Sequence, residues 1–484
     1  MTWYFPLDYG SEFDDNLFVF PRYGKSVRQV VPGKILPPRD DIIQWNREKH
    51  QDEFNKVISI PTDLEPNLRH ELISIIQDNW DCFVAEGVNR PVRGFEFHID
   101  TGAAHPVACR PPHYGIHEGK IMQKSVDDLI HNSWIRECSG PWLSKAVLAP
   151  KPHQEHVTDI AEFVWRFCVN YRPLNAVTKP YDYPIPRCDD ALEDFGDSKG
   201  QLYFISVDAK SGYHQISVDE ESQEKLAFMG PDNIKYCYTV MPFGPKNAPS
   251  VYTAMICVMK SEYDALFAER HPKEVNSIGN RNIMDDALLW STDAMTCLLY
   301  FRCLCEVYKK YRLSFNPKKC DFFKLRFEWL GHDVKTTGNS PAQSKFNLLE
   351  DWPLPATGMS LSSFLGLVTF YNRYIVDYES RSCPLRDLAK QFYRVPIPVT
   401  AWTPQLREFF EGLKVAVTSD PCLARFDSSL PTFLKTDWSS IGMSYVLMQP
   451  ADDPASRTAL AILEAGGPNM FDELMTGARL RPVR

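Results

Sequence analysis

Asn282-Ile283-Met284-Asp285-Asp286-Ala287-Leu288-Leu289-Trp290 sets two adjacent aspartates between apolar runs, the pattern of a strand, a tight turn and a second strand. Adjacent carboxylates at the tip of an apolar hairpin repel each other unless a cation neutralises them. Asp is also an ordinary turn residue, so the pair acquires meaning only with a second observation. Tyr203-Phe204-Ile205-Ser206-Val207-Asp208-Ala209-Lys210-Ser211-Gly212-Tyr213 supplies it, a β-rich run ending on Asp208 just ahead of a Ser-Gly break. Two strand-end aspartate sites side by side make a cage for two hard cations. Mg²⁺ favours one or two carboxylates plus substrate phosphates. Two such ions roughly 3.5–4 Å apart clamp the attacking and leaving oxygens of a phosphoryl displacement.

The remaining composition narrows the class. At 484 residues the chain has room for about three domains or more. Its 44% hydrophobic and 24% charged content is that of a soluble globular protein. No apolar run approaches a membrane span, and Met1-Thr2-Trp3-Tyr4-Phe5-Pro6 lacks a basic region before an apolar core, so neither membrane nor secretory leader is expected. The 13 cysteines are odd in number and scattered without CxxC pairs, which points to reduced thiols and an intracellular setting. Cys303 and Cys305 fall on a predicted helix as core residues. A net charge of −9 opposes nucleic-acid binding only if it is evenly spread. Arg302, Lys309, Lys310, Arg312, Lys318, Lys319, Lys324 and Arg326 make a local basic stripe against Glu306 and Asp321 alone.

Along the chain, residues 1–65 carry no sustained period. Leu68 to Ile76 predicts a short helix ending near Asp78, and Glu118 to Ile135 an amphipathic one with Met122, Val126, Leu129 and Ile130 inward, broken at Gly140-Pro141. Phe95-Glu96-Phe97-His98-Ile99-Asp100-Thr101-Gly102-Ala103 has the look of an aspartic-protease acid, yet that chemistry needs two aspartates sharing a proton and no second Asp-Thr/Ser-Gly follows. Strands are expected at Trp142–Pro150 and Phe163–Tyr171, around a polar loop from His153 to Glu162. Lys151 and Arg166 then form a candidate polyphosphate clamp, although an Arg in a strand is commonly an edge residue. Helices are expected at Ser250–Lys260, Met295–Tyr311 and Gln405–Val417, and through Phe364, Val368, Tyr371 and Ile375. Phe327 to Val334 predicts a hairpin and Thr432 to Asp437 a final strand ahead of a polar, Gly-rich end.

Taken in order, IDTGAAHPV, WRFCVNYRPLN, YFISVDAKSGYHQI, TVMPFGPKNAPSVY, IMDD, LSFNPKKCDFF, FEWLGHDV, FLGLVTFYNRYI and FLKTDWSSIG resemble the reverse transcriptase of gypsy-type LTR retrotransposons over roughly residues 95–449. Any one block is weak; the ordered set is specific. The resemblance implies an α+β right-hand polymerase with an antiparallel palm sheet. Its divisions would be an N-terminal extension at 1–65, mainly fingers at 66–190, and palm at 191–335 with a fingers return near 219–245. Thumb at 336–395, connection at 396–430 and a truncated RNase H-like α/β start at 431–484 would follow. By motif position Asp208, Asp285 and Asp286 are the catalytic carboxylates, holding two Mg²⁺ ions, with Mn²⁺ a second candidate. Lys151, Arg166, Tyr213, Phe243 and Gly244 would bind the dNTP, Tyr213 acting as the gate against a ribose 2′-OH. Ile283, Met284, Lys318, Lys319, Trp329, Leu330 and Gly331 are the implied primer and template residues, with Lys318 or Lys319 standing where the family carries a lysine near the pyrophosphate, and the Phe364–Tyr374 helix would lie along the duplex.

The implied partners are an RNA template, a DNA or tRNA-like primer and dNTPs, in a cytoplasmic virus-like particle or the nucleus; oligomeric state is left open. Asn170 stands where the family mostly has Asp, and Ile283 where it has Tyr or Phe. Asp437 matches the first RNase H carboxylate, while Asp452, Asp453, Glu464 and Glu473 do not match the later ones, so RNase H activity is expected to be absent. The alternative is a catalytically decayed or repurposed nucleic-acid-binding remnant of such a polymerase.

Overall fold

The computed structural model describes residues 27–28, 58–83, 91–110, 113–150, 165–187, 202–324, 326–335, 338–342, 349–372, 375, 378–418, 423–424, 432–438, 443–450 and 480–483. Lys151 and the predicted loop at 153–162 lie outside them. The chain divides into two compact units. One comprises Met1–Pro186, Ile205–Trp290 and Ala294–Phe322; the other comprises Arg187–Phe204, Ser291–Asp293 and Phe323–Arg484.

In the first unit, helix α1 (Pro66–Asp78) begins on a proline, whose missing N–H costs nothing at a helix start. Helix α2 (Ile116–His131) buries Met122, Val126 and Leu129 as its spacing predicts. It stops well short of Gly140-Pro141, however. The Asn132 side chain donates to the Asp128 carbonyl at 2.7 Å and Ser133 turns left-handed at φ 56°, an end that carries neither Gly nor Pro to announce it. Strand β1 (Ile135–Glu137) follows, then the antiparallel pair β2 (Lys145–Pro150) and β3 (Trp165–Asn170), in register from Lys145 opposite Asn170 to Pro150 opposite Trp165.

Strand β4 (Tyr203–Asp208) ends on the first candidate carboxylate. Strands β5 (Ala227–Met229) and β6 (Lys235–Tyr238) join β1 in the order β1-β6-β5. Helix α3 (Ala248–Arg270) runs well past the predicted Lys260, because Val251, Met255, Met259, Tyr263 and Phe267 are all buried and continue one apolar stripe at i+4 spacing. Strands β7 (Ile278–Ile283) and β8 (Asp286–Ser291) form the hairpin, and helix α4 (Ala294–Tyr311) and the short β9 (Asp321–Phe322) complete this part. The central sheet runs β7-β8-β4-β9.

Helices α3 and α4 back that sheet through aromatic contacts. Tyr300 meets Tyr263 edge-on at 5.6 Å and Phe267 at 5.0 Å, and the Asn282 amide on β7 donates to the Tyr263 hydroxyl at 2.6 Å. Phe301, wholly buried, packs on Phe315 and Phe322 at 6.5 and 5.5 Å. Phe301→Ala is expected to cost about 3–5 kcal/mol through lost transfer energy and a residual cavity. A urea midpoint unchanged from wild type would remove Phe301 from the core.

In the second unit, β10 (Arg326–Trp329), β11 (His332–Lys335) and β12 (Gly338–Pro341) form a meander. Helices α5 (Gly358–Phe370), α6 (Tyr378–Gln391) and α7 (Pro404–Thr418) follow. A Thr357–Ser360 capping box starts α5. The predicted continuation through Ile375 does not occur. Tyr371 is the C-cap, bonded back to Val368 and Thr369, and both Tyr371 and Ile375 are buried, so the apolar spacing outlives the helix. Leu361, Phe364, Val368, Leu385, Leu388, Phe410 and Leu413 share one core, which joins α7 to α5 and α6.

Strands β13 (Leu423–Ala424), β14 (Phe433–Trp438), β15 (Met443–Pro450) and β16 (Leu480–Val483) extend the sheet in the order β10-β11-β12-β13-β16-β15-β14. The Thr432–Asp437 strand is therefore not the final one: antiparallel β15 pairs with it from Trp438 opposite Met443 onward. No helix among the described residues is long and apolar enough to cross a membrane.

Candidate active site

Asp208 comes from the end of β4 and Asp286 from the start of β8, with Asp285 in the turn between β7 and β8. Met284, at φ 51°, makes that turn. A backbone bond from Ala209 N to the Asp285 carbonyl, 2.8 Å, ties the two carboxylate-bearing segments together. A third segment joins them: Asn316 N donates to the Asp208 carbonyl at 2.8 Å and Lys210 N to Ser314 O at 3.0 Å. Gln215, 3% exposed, holds this junction, donating to Lys210 O and Ser314 O at 2.8 and 2.9 Å and accepting from Ser314 N at 2.7 Å.

The electrostatics follow from that convergence. Burial, then the Asp208 and Asp286 charges, push the Asp285 carboxyl up to about 6. Burial and Asp208 push Asp286 up to about 6 as well. Asp285 Oδ1 is buried without a hydrogen-bond partner, and so is the Tyr252 hydroxyl on α3. Both lie against Gly212, where an added Cβ would meet them at 2.9 and 2.7 Å. Lys319 Nζ closes on Asp208 Oδ2 at 3.0 Å. A buried Asp285 oxygen without a donor, beside the Asp286 carboxyl held above its ordinary range and the Asp208 carboxylate, fits a hard divalent cation. The three are not drawn into one tight cluster. Among the described residues, the group whose ligand atoms all lie within 4.8 Å of one another is instead His98, Asp219 and Glu221. There Asp219 accepts from Ser222 N and Oγ, each at 3.0 Å, beside His98, which makes it a helix cap.

Beside the carboxylates, the Tyr213 ring stacks on Phe243 at 4.8 Å and tilts against Tyr252 at 5.4 Å. Phe243 is 58% exposed, an open apolar face of the size a ligand ring would cover. Gly244 adopts φ 110°, and a Cβ there would approach the Tyr171 ring at 3.1 Å. Asn175 fixes the loop by donating to Gly244 O at 2.9 Å and accepting from Lys246 N. His214 stacks on Trp134 at 4.2 Å, and burial pushes its pKa down to about 4, leaving it a neutral spacer. Arg166 is exposed on β3. Ile283, 4% exposed, is packed into the core.

Other expected residues take separate places. Of the two lysines, Lys319 rather than Lys318 pairs with Asp208. The basic stripe is not one free face: Arg302 pairs with Glu71 and Asp78, each within 3.0 Å, Lys309 donates to the Asp78 carbonyl and Lys310 pairs with Glu262. Asp100 of the Asp-Thr-Gly stretch pairs with Lys179 at 2.9 Å. That bond and one from Gly102 N hold its carboxyl below the usual range, which suits a turn anchor. Asp437 lies on β14 opposite Ser444.

In the second unit Leu330 and Gly331 turn the β10–β11 hairpin at φ 50° and 75°, and Tyr371 donates to Gly331 O at 2.8 Å. Two positive φ values favour Asn-Gly, so Leu330 is strained. Leu330→Asn is expected to stabilise the protein by about 1 kcal/mol. A lower urea midpoint would show that the leucine's own contacts outweigh the strain. On α5, the helix expected to lie along a duplex, Met359, Ser363, Gly366 and Phe370 are exposed, while Phe364 is buried.

Comparison with known proteins agrees with this architecture. Residues 158–334 match the family described as reverse transcriptase (RNA-dependent DNA polymerase), and residues 402–461 an RNase H-like domain found in reverse transcriptase. The chain thus carries a reverse transcriptase domain and part of an RNase H-like one, and it is similar to retrotransposon polyproteins. Among curated relatives, the Transposon Tf2-3 and Tf2-7 polyproteins of Schizosaccharomyces pombe are each 27% identical over 419 residues, 86% of this chain. The chain spans 29% of their length. A foamy viral protease-reverse transcriptase in complex with an RNA/DNA hybrid superposes with a TM-score of 0.66 at 18% identity, over 83% of this chain and 50% of that one. Another in complex with double-stranded DNA gives 0.67 at 16% identity, over 86% and 85%. These likenesses carry the α+β polymerase fold.

Proposed function

We propose that this chain is an RNA-directed DNA polymerase of a retrotransposon, transferring a nucleotidyl group from a dNTP to a primer 3′-OH on an RNA or DNA template. The observation that carries this reading is the convergence of Asp208, Asp285 and Asp286 from two strand ends, with Asp285 Oδ1 buried and unpartnered. Asp208 and Asp285 would hold both Mg²⁺ or Mn²⁺ ions, with Asp286 in support. When bound, such ions acidify the primer hydroxyl and neutralise the triphosphate and departing pyrophosphate. Tyr213, pinned between Phe243 and Tyr252, would present a fixed ring edge to the sugar, and Phe243 would cover one face of the nucleotide. Arg166 and Lys151 would hold phosphate oxygens. Trp329, Leu330 and Gly331, with Ile283 and Met284, would position the primer. The foamy viral relatives are in complex with nucleic acid, which supports a template–primer partner here, engaged in a cytoplasmic particle or the nucleus.

The test is extension of a labelled DNA primer on an RNA template with dNTPs and Mg²⁺, repeated with a chelator. Chelator-sensitive extension is the expected result. Binding of template–primer without extension would instead establish the non-catalytic remnant, for which the replacement of an aromatic residue by Ile283 is the motivating observation.

A further inference from the structure

Cys138 and Cys237 meet at the open end of a strand pair. Antiparallel β1 and β6 set Ile135 opposite Tyr238, Arg136 opposite Cys237 and Glu137 opposite Tyr236. One residue past β1, Cys138 N still donates to Lys235 O at 2.9 Å. Residues two apart on a strand share a face, so Arg136 and Cys138 lie on the face that carries Lys235 and Cys237. Across it Cys138 and Cys237 are diagonal neighbours, and their side chains are hydrogen-bonded to each other. The two thiols differ in access: Cys237 is wholly buried, Cys138 part-exposed. The hydrogen bond from Cys237, followed by the Lys235 and Arg136 charges, holds the Cys138 thiol below its ordinary range despite partial burial. That same bond, then burial, pushes the Cys237 thiol up. Burial also pushes up Cys303, Cys305 and Cys320, which are core thiols. A reachable sulfur favoured as thiolate, with a second held against it, is the arrangement of an attacking and a resolving cysteine.

We propose that Cys138 and Cys237 are a reversible redox pair, oxidised to an intramolecular disulfide by a small disulfide such as oxidised glutathione. The Cys138 thiolate attacks one glutathione sulfur; a Cys138–glutathione bond forms, the glutathione S–S bond breaks and one glutathione leaves as thiolate. Cys237 then gives up its proton and attacks the Cys138 sulfur, expelling the second glutathione. The departing thiolates take up the two cysteine protons. The pair has lost two electrons and the glutathione disulfide has gained them. Excess reduced glutathione runs both steps backwards. Diagonal positions stand roughly 7–8 Å apart along the backbone, just beyond the usual span of a disulfide, so one side has to draw in. Cys138, past the end of β1 and ahead of Ser139 and Gly140, is the one placed to do so. The other end of the pairing is already held by Thr239 N on Trp134 O at 2.9 Å. The disulfide would therefore close the pairing at both ends, on the strand that runs on through Val240 and Met241 to Phe243.

Thiol mapping of the full chain tests this. The reduced protein is treated with oxidised glutathione at neutral pH, its remaining thiols are blocked with N-ethylmaleimide, and its peptides are identified by mass spectrometry. The wild type is expected to yield a Cys138–Cys237 cross-linked peptide that dithiothreitol abolishes. In a separate short pulse of iodoacetamide on the untreated wild type, Cys138 is expected to be labelled roughly three- to tenfold faster than the part-exposed Cys257. Cys237→Ala, which lacks the resolving thiol, is expected to retain glutathione on Cys138. Both wild-type readouts stand even where that variant misfolds. Glutathione retained on Cys138 of the wild type with no cross-link overturns the pair, as does a cross-link from Cys138 to any other cysteine. Labelling of Cys138 no faster than that of Cys257 overturns its role as the attacking thiol.

Discussion

On the polymerase function proposed above, Asp285→Asn is expected to lower primer extension by on the order of 10³-fold or more, because it would remove one of the charges that would hold the ions at the reacting oxygens. The same substitution should leave the fold intact and even strengthen it. Asp285 and Asp286 hold protons up to about 6 in the folded chain, against about 3.9 when unfolded. The folded state therefore binds protons more tightly, and this contribution to stability is complete below about pH 4 and lost as pH rises through about 6. At pH 8 the metal-free wild type bears the full repulsion, which Asp285→Asn relieves by on the order of 1 kcal/mol after solvent screening of these part-exposed groups. Melting curves from pH 4 to 8 check this: the wild type should lose stability over that range and the variant lose less. Loss of activity together with a large drop in melting temperature would mean that Asp285 is structural. Undiminished extension would remove it from the chemistry.

The second large effect is expected at Tyr213. Its ring is 8% exposed and stacked on Phe243, so it is placed by packing and not free to swing away from a sugar. Tyr213→Ala is expected to raise the ratio of ribonucleotide to deoxyribonucleotide kcat/KM by on the order of 10–100-fold, mostly through better use of the ribonucleotide. Single-nucleotide incorporation with paired rNTP and dNTP titrations measures it. A ratio that stays fixed while both rates fall would make Tyr213 a support for Phe243 and not a discriminating contact.

The hairpin around Asp285 and the strand ending on Asp208 were legible because both are local patterns of alternating or apolar residues ended by turn residues. The partners that make a site of them were not. Gln215 sits in a motif whose side chain reads as any polar residue, yet it joins Lys210 to Ser314, far apart in sequence. Tyr252 falls on the buried face of α3 and looks like core. Lys318 and Lys319 are equivalent in sequence; the 3₁₀ turn and its bond to Asp208 distinguish them. Helix ends were misread where a non-glycine residue took up the turn, as Ser133 does at φ 56°, or where burial continued past the helix, as at Tyr371 and Ile375. The basic stripe was read as a surface because intramolecular acids such as Glu71 and Glu262 lie far away in sequence.

The sheet order β7-β8-β4-β9 puts β4 between strands that both come later in the chain. When Asp208 leaves the ribosome, its neighbours on either side have not yet been made. Synthesis at about 5–20 residues per second leaves that strand without sheet partners for several seconds or more, and only after Phe322 has emerged can the sheet close around it. A nascent chain would therefore carry Asp208 apart from Asp285 and Asp286 until β8 has been made. A chain interrupted between Ser291 and Asp321 would hold all three aspartates in a sheet that lacks β9.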